Sequence, residues 1–286
     1  MEALLAKAEA NVGWVIFIIL AYSIGLALVE FGWEVWRKKI TRKRLGEMWA
    51  SVSVFIPAQI TEKAATALFV GIYFYVYQFV PWTIPVNGFT VVLAIVMVDF
   101  LYYWEHRLEH EVRLLWSYHS IHHSSPIYNY TTALRVSFID NFVTWVFFIP
   151  AVLLGFHPVL VLIALGFILT YQFWIHTELI GRMGWFEAVF NSPSHHRVHH
   201  GSDTLYLDKN YGGLFIIWDK LFGTFQRETF KPTYGLTKQI NTINPVKVHF
   251  AEYIQIVKDV RQAKGSKEAL GYLLKAPGWK PDTHEP

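Results

Sequence analysis

Cysteine is absent from this chain of 286 residues. That absence removes disulfides, thiolate-ligated zinc, iron–sulfur clusters and thiolate-bound haem together. Charge is also scarce, at 16% of residues, whereas 53% are hydrophobic, an imbalance uncommon in a soluble domain. The net charge of +3 is too small for an electrostatic footprint on nucleic acid, and no such partner is expected. No internal repeat or low-complexity tract is found. The Met1–Asn11 stretch carries Glu2, Lys7 and Glu9, and no small-residue cleavage pattern follows, so a cleavable signal peptide is not expected.

What the chain has instead is long apolar runs, edged by aromatic residues as in a membrane-interface belt. Val12–Val29 is long enough to span about 27 Å as a helix. Further spans are expected at Ala64–Trp82, Val86–Trp104 and Pro158–Trp174, with a shorter or re-entrant arm at Phe142–Gly155. The basic block from Arg37 to Arg44 follows the first span and predicts a cytosolic loop, which leaves the N-terminus outside. By parity, the third and fifth spans also end on the cytosolic side. Leu214–Phe225 is amphipathic and is expected along the interface, and the tail from Thr229 reads as soluble in character, ending in a Pro-rich segment expected to fray. The fold expected is an all-α integral membrane protein of about four to five transmembrane or re-entrant helices. Residues 1–286 would form a single domain with a cytosolic helical cap.

The 13 histidines are clustered, most of them between His106 and His200. His106 and His110 stand four apart. His119, His122 and His123 stand at i, i+3 and i+4, and His196, His199 and His200 repeat that pattern, while His176 closes a span. On helices these spacings put the rings on one face. Every cluster follows the end of the third or fifth span, so all fall on one side of the membrane. A lone HxxxH pair is a weak signal, but two HxxHH boxes in one chain are hard to explain as core packing. Nine imidazoles exceed what one first-row ion coordinates, so two ions are expected. Neutral imidazole suits zinc, copper, nickel or iron, and spacing alone does not choose among them. Two open, nitrogen-ligated redox metals suit dioxygen activation. A zinc hydrolase remains open but uses such a site poorly, because zinc has no redox chemistry. His195 stands outside the box spacing, and His157, His249 and His284 lie off the cluster.

Among carboxylates, Asp99 lies two helical turns before His106 on the same face, and an acid at membrane depth is a functional candidate. It is expected to accept the free N–H of a ligand imidazole. Glu109, Glu111 and Asp219 are further candidates, each of which also reads as an exposed charge or a helix cap.

These boxes resemble the fatty acid hydroxylase/sterol desaturase superfamily of membrane di-iron oxygenases. The likeness covers about 91–250, left by a polar tail at 251–286. It rests on Asp99 through His106, the His119 box followed by Ser124-Ser125, Asn191 through Gly201, Asn210-Tyr-Gly-Gly213, and Trp218 through Thr224. Tyr128–Arg135, Gln172–Glu178, Tyr234–Thr237 and Ile243–Lys247 resemble the alkylglycerol monooxygenase subgroup. The resemblance implies that the nine histidines hold two iron ions, with Glu111 at a conspicuous acidic position of the subgroup. It also implies dioxygen as co-substrate, a lipid substrate, and a bacterial inner-membrane or endoplasmic-reticulum location. The reaction implied is hydroxylation of a carbon, in the subgroup one beside an ether oxygen. Electrons would come from a tetrahydropterin or a separate ferredoxin- or cytochrome b5-type donor, since no cytochrome b5-like segment is fused here. Sterol or fatty acyl desaturation needs the same centre and stays an alternative. A non-catalytic metal-binding protein is the alternative of another class, although histidines gathered at one face do not trace a transport path.

Overall fold

The structure is a computed structural model that describes residues 2–281. Among the described residues no β-strand forms. The exceptions to helix and loop are isolated bridges pairing Phe190 with Phe215 and Gly201 with Tyr234.

Helices α1 (Glu2–Trp36) and α2 (Arg42–Tyr77) are joined through the basic block. Lys38 turns the chain in the left-handed region at φ 54, and the Thr41 hydroxyl caps α2 by accepting from the Arg44 N–H at 3.1 Å. Helix α2 is therefore longer than the expected second span, and it stops short of Trp82. Pro81 disfavours helix in the residue before it, and the chain runs extended to α3 (Gly88–Glu111). Asn87 and Thr90 form a reciprocal capping box there. Helix α3 does not end with the apolar run. It continues through His106 and His110, and after Val112 the chain re-enters helix as α4 (Arg113–His123).

The arm expected as one helix at Phe142–Gly155 is broken. Helix α5 (Asp140–Val143) and α6 (Ile149–Leu153) are separated by a 3₁₀ turn over Thr144–Phe148. Pro150 accounts for the break, since its ring and missing N–H are tolerated only in the first turn of a helix. Gly155, at φ 94, then reverses the chain beneath Trp82, where a Cβ would meet the indole at 2.9 Å. Helix α7 (Pro158–Trp174) follows, its N-terminus capped by His157. The core forms where α3 packs on α7, and Ala94, Val98, Val161, Ala164 and Ile168 are all buried there. Small side chains at that seam let the two backbones approach closely.

Helix α8 (Pro193–His199), started by the Ser192 cap, carries the second histidine box. The expected interfacial helix at Leu214–Phe225 shrinks to α9 (Ile217–Phe222), ended by Gly223 at φ 76. Leu214, Ile216 and Asp219 are buried, which pins this segment inward. The tail expected to be soluble in character carries α10 (Pro245–Gln262) and α11 (Ser266–Leu274), packed against α4, and the last residues of the Pro-rich end expected to fray lie outside the described residues. Arg113 ties them in, pairing with Glu252 at 2.8 Å and Asp259 at 2.7 Å.

By length and composition, Phe17–Trp36 and Gly88–Glu111 can cross a membrane, and α7 is a shorter apolar helix. Two buried contacts fasten α1 and α2 to the loop that follows α4. Glu30 accepts the Tyr130 N–H at 2.6 Å and a hydrogen bond from the Thr177 hydroxyl. Arg135, 1% exposed, donates to the Glu47 carboxylate at 2.6 Å and to Ser51 and Ser124. His284 lies outside the described residues.

Candidate metal centre

The nine histidines of the sequence boxes gather at one end of the α3–α7 core, and they divide. His106, His110, His119, His123 and His199 form one group, and His122, His176, His196 and His200 form the other. Within each group one nitrogen per ring lies within 4.8 Å of all the rest. Helix geometry makes the division. In each HxxHH box the i and i+4 rings share a side and the i+3 ring is turned away. Helix α4 sends His119 and His123 to the first group and His122 to the second. Helix α8, ending at the His200 cap, does the reverse, with His196 and His200 in the second group and His199 in the first. Helix α3 completes the first group, and His176, just past α7, completes the second.

Ring orientation follows from hydrogen bonds on the outer side. Nδ1 donates to the Tyr211 carbonyl from His106 (2.8 Å), to the Gln172 carbonyl from His176 (2.7 Å) and to the Lys209 carbonyl from His199 (3.0 Å). The Nδ1 of His119 meets Glu109 Oε2 at 2.8 Å. A neutral imidazole has one N–H, so rings that use it outward present a bare Nε2 lone pair inward. Nε2 atoms converge in both groups, His106 and His119 at 3.1 Å, His119 and His123 at 3.2 Å, His122 and His176 at 3.2 Å, His176 and His196 at 2.9 Å, while the Nδ1 atoms of His122 and His196 are buried without a partner. The Nε2 atoms of His110 and His199 are buried with no hydrogen-bond partner. Facing lone pairs repel unless a cation lies between them. Spacings of this size match the edges of a coordination polyhedron whose metal–nitrogen bonds are about 2.0–2.1 Å. The residues therefore fit a metal in each group.

Electrostatics agree. Burial drives His119 down to about 3, and burial together with the neighbouring rings holds His123, His176, His199 and His200 well below the ordinary imidazole range. The rings are neutral at physiological pH, the state in which imidazole binds metal.

The carboxylates fall differently from the sequence expectation. Asp99 is fully buried, but its partners are the Leu214 N–H (2.6 Å), the Phe215 N–H (3.0 Å) and the Trp218 indole N–H (2.8 Å), not an imidazole. Its side chain points from α3 to the loop that leads into α9. Asp219 accepts from the Tyr211 and Gly212 N–H groups at 2.7 and 2.8 Å and from the Thr224 hydroxyl, so it fixes the peptide whose carbonyl orients His106. The two glycines of Asn210-Tyr-Gly-Gly213 are explained here. A Cβ on Gly212 would meet the Phe215 carbonyl at 2.3 Å, and one on Gly213 would meet Asp99 Oδ1 at 2.8 Å. Glu111 stands outside both groups, 45% exposed and paired with Arg107 at 2.8 Å. Glu109, the weaker candidate, is the carboxylate in contact with a ring. Replacing it should show this. Glu109→Ala should lower metal affinity of the first group by about 10–100-fold, the usual cost of losing a carboxylate behind a histidine ligand, with Glu109→Gln nearer the lower figure. Competition against a chelator measures it, and an unchanged affinity in both variants would remove Glu109 from this role.

His195, His157 and His249 belong to neither group. His195 lies edge-on to Phe225, and burial lowers it to about 4. Sequence reasoning missed the three carbonyls behind the rings, which leave no side-chain signal, and it missed the aromatic walls. Tyr128 stacks on His176 at 5.8 Å and on Tyr234 at 4.9 Å, and its hydroxyl donates to the Ile175 carbonyl. A cavity of 390 Å³ reaches His110, His123, His199 and His200, with Trp116 on its wall and the Arg113 ion pairs beside it. A second, of 820 Å³, opens on the far side of Tyr128 beside Lys43 and Lys231.

Fold and site together define a helical protein with two adjacent groups of histidines that could each hold a metal ion. Residues 91–224 match the family described as fatty acid hydroxylase. It is 40% identical over 243 residues to alkylglycerol monooxygenase of Homo sapiens, covering 83% of this chain and 54% of the relative. With alkylglycerol monooxygenase of Danio rerio the identity is 38% over 267 residues, covering 91% and 58%. With an ornithine lipid hydroxylase of Rhizobium tropici it is 36% over 140 residues, covering 48% and 42%. The chain thus spans little more than half the length of the first two relatives. No solved structure matches it.

Proposed function

We propose that this chain is a membrane-embedded di-iron lipid monooxygenase, and that its substrate is an ether lipid hydroxylated on the carbon beside the ether oxygen. The observation that carries the reading is the pair of adjacent histidine groups whose Nε2 lone pairs converge. Likeness to alkylglycerol monooxygenases over most of this chain supports the choice of substrate. Membrane embedding is supported by the apolar side chains that α1 leaves exposed, among them Phe17, Ile18, Ile24, Leu28 and Val29. In this arrangement the N-terminus is outside, and the histidine end with its α10–α11 cap faces the cytosol.

Bound to the two groups, iron would supply the reduction of dioxygen and the oxidation of a C–H bond. The chain's own residues do the rest. The Tyr211, Gln172 and Lys209 carbonyls and the Glu109 carboxylate hold the Nδ1 proton of four rings and keep Nε2 aimed inward. Tyr128 and Trp116 wall the centre and limit water. One dioxygen, two electrons and two protons place one oxygen on the lipid and release the other as water. The hemiacetal formed beside an ether oxygen separates into an aldehyde and a free glycerol hydroxyl. A separate donor, either a tetrahydropterin or a ferredoxin- or cytochrome b5-type protein, supplies the electrons.

The test is elemental analysis after expression with supplemented iron, followed by turnover under ¹⁸O₂ with alkylglycerol, acyl and sterol lipids. The expected outcome is about two iron per chain, aldehyde released from alkylglycerol, and one labelled oxygen in the product. Loss of two hydrogens without label would indicate a desaturase. Two zinc ions that iron cannot displace, with no oxygen uptake, would overturn the oxygenase reading.

A further inference from the structure

Behind the first histidine group lies a third cluster, of which the metal centre uses one oxygen of Glu109 alone. Glu105 and Glu109 stand one helical turn apart on α3, and Asp140 faces them from the start of α5, with one oxygen from each within 4.8 Å of the others. Glu105 is 2% exposed and Glu109 4% exposed. The Thr144 hydroxyl bonds both Glu105 and Asp140, the latter at 2.8 Å. Among the described residues no lysine or arginine pairs with any of the three, and the one basic partner is the His119 ring, held neutral by burial. Three carboxylates this close in a buried place repel one another without a counter-charge.

Two further atoms point to a ligand there. Glu105 Oε2 is buried with no hydrogen-bond partner. The Tyr118 hydroxyl, on a side chain 3% exposed, has no partner besides the Glu109 carboxylate it lies against. Both oxygens keep lone pairs unused at the edge of an acidic pocket, the arrangement expected of groups that wait for a cation.

We propose that Glu105, Glu109 and Asp140, with Thr144 and Tyr118, form a separate site for a hard divalent cation, calcium foremost. The donors are all oxygen, which suits calcium, magnesium or manganese and is unlike the all-nitrogen histidine groups. Calcium is favoured because it takes about six to eight oxygens in flexible geometry, whereas magnesium demands a near-ideal octahedron and gives up its water reluctantly. Glu109 is shared, one oxygen meeting His119, so a cation here also fixes the carboxylate that orients a histidine of the first group. The site stands whether or not the lipid reaction is assigned correctly.

The test uses the full chain in detergent, with its histidine groups loaded. After exchange into calcium, bound calcium is measured by elemental analysis and Tm is followed through calcium, manganese and magnesium titrations. Expected are one calcium per chain and a rise in Tm that calcium produces at lower concentration than magnesium. Asp140→Asn and Glu105→Gln should weaken calcium binding at least tenfold and leave the metal content of the histidine groups unchanged. Wild-type protein that binds none of the three ions and whose Tm none of them moves would overturn the proposal, and this readout does not depend on the variants folding. Calcium binding unaltered in both variants would overturn it equally.

Discussion

His176→Ala is expected to leave about one tightly held metal per chain in place of two, and His122→Ala and His196→Ala should do the same. The reason is the uneven division of the ligands, four in the second group against five in the first. Removing one ring from the second group leaves three nitrogens, an open set that a chelator can strip. Removing His123 from the first leaves four, enough for a tetrahedral ion. His123→Ala should therefore keep close to its full metal content and lose affinity instead. Lipid oxidation should fall in all of these variants by at least about 100-fold, since losing a direct ligand costs more than losing the group behind one. Elemental analysis after dialysis against a graded chelator, paired with product assay, separates the two effects. Two firmly held ions in His176→Ala would mean that His176 is an outlying ring and that the division is drawn wrongly.

The second large effect is on stability. Asp99→Ala removes the acceptor of two main-chain N–H groups and the Trp218 indole N–H at a fully buried position. Each orphaned donor costs about 1–3 kcal/mol, so a loss of about 3 kcal/mol or more is expected. For a chain of this size that corresponds to a fall in Tm of roughly 6–12 °C. Asp99→Asn should recover part of it, keeping one acceptor oxygen while turning an NH₂ group toward a donor. Glu111→Ala, which breaks an exposed i, i+4 pair, should change stability by no more than about 0.5 kcal/mol. Thermal unfolding in detergent and metal content are measured on the same samples. In Asp99→Ala the Tm should drop while metal binds the folded fraction normally, the reverse of Glu109→Ala. A variant that loses metal at unchanged Tm would return Asp99 to the role suggested by its helical spacing.

That contrast shows what could be read from the sequence and what could not. The nine histidines were legible because ligand spacing on a helix is local, and the HxxHH pattern carries its own geometry. Their division into two groups was not, because it depends on α4 and α8 meeting with their i+3 rings crossed. Asp99 shares the helical face of His106, so the periodicity was read correctly. What spacing cannot reveal is that the Leu214–Trp218 loop arrives first and takes both oxygens. Glu111 lies apart from both histidine groups for a related reason, since the turn at Val112 leaves it outside while Glu109, two residues earlier, points in. Helix starts were legible wherever a cap or proline marks them, as at Asn87, His157-Pro158 and Ser192-Pro193. The α10–α11 cap was not, because its polar sequence reads as solvated until Arg113 reaches across to Glu252 and Asp259.

The contacts of Glu30 bear on the order in which the chain can be assembled. Its carboxylate lies near the end of the first apolar helix, which leaves the ribosome long before its partners Tyr130 and Thr177 are made. Until they arrive, the acid lacks both of the groups that satisfy it in the folded chain. The first helix therefore reaches its final contacts only after some hundred and fifty further residues have been made. Once Thr177 is in place, so is its neighbour His176, and the same event that settles the oldest helix brings in the last segment of the second histidine group other than α8. Synthesis of this chain thus runs with its beginning unfinished, and the metal centre and the N-terminal helix reach their final positions together.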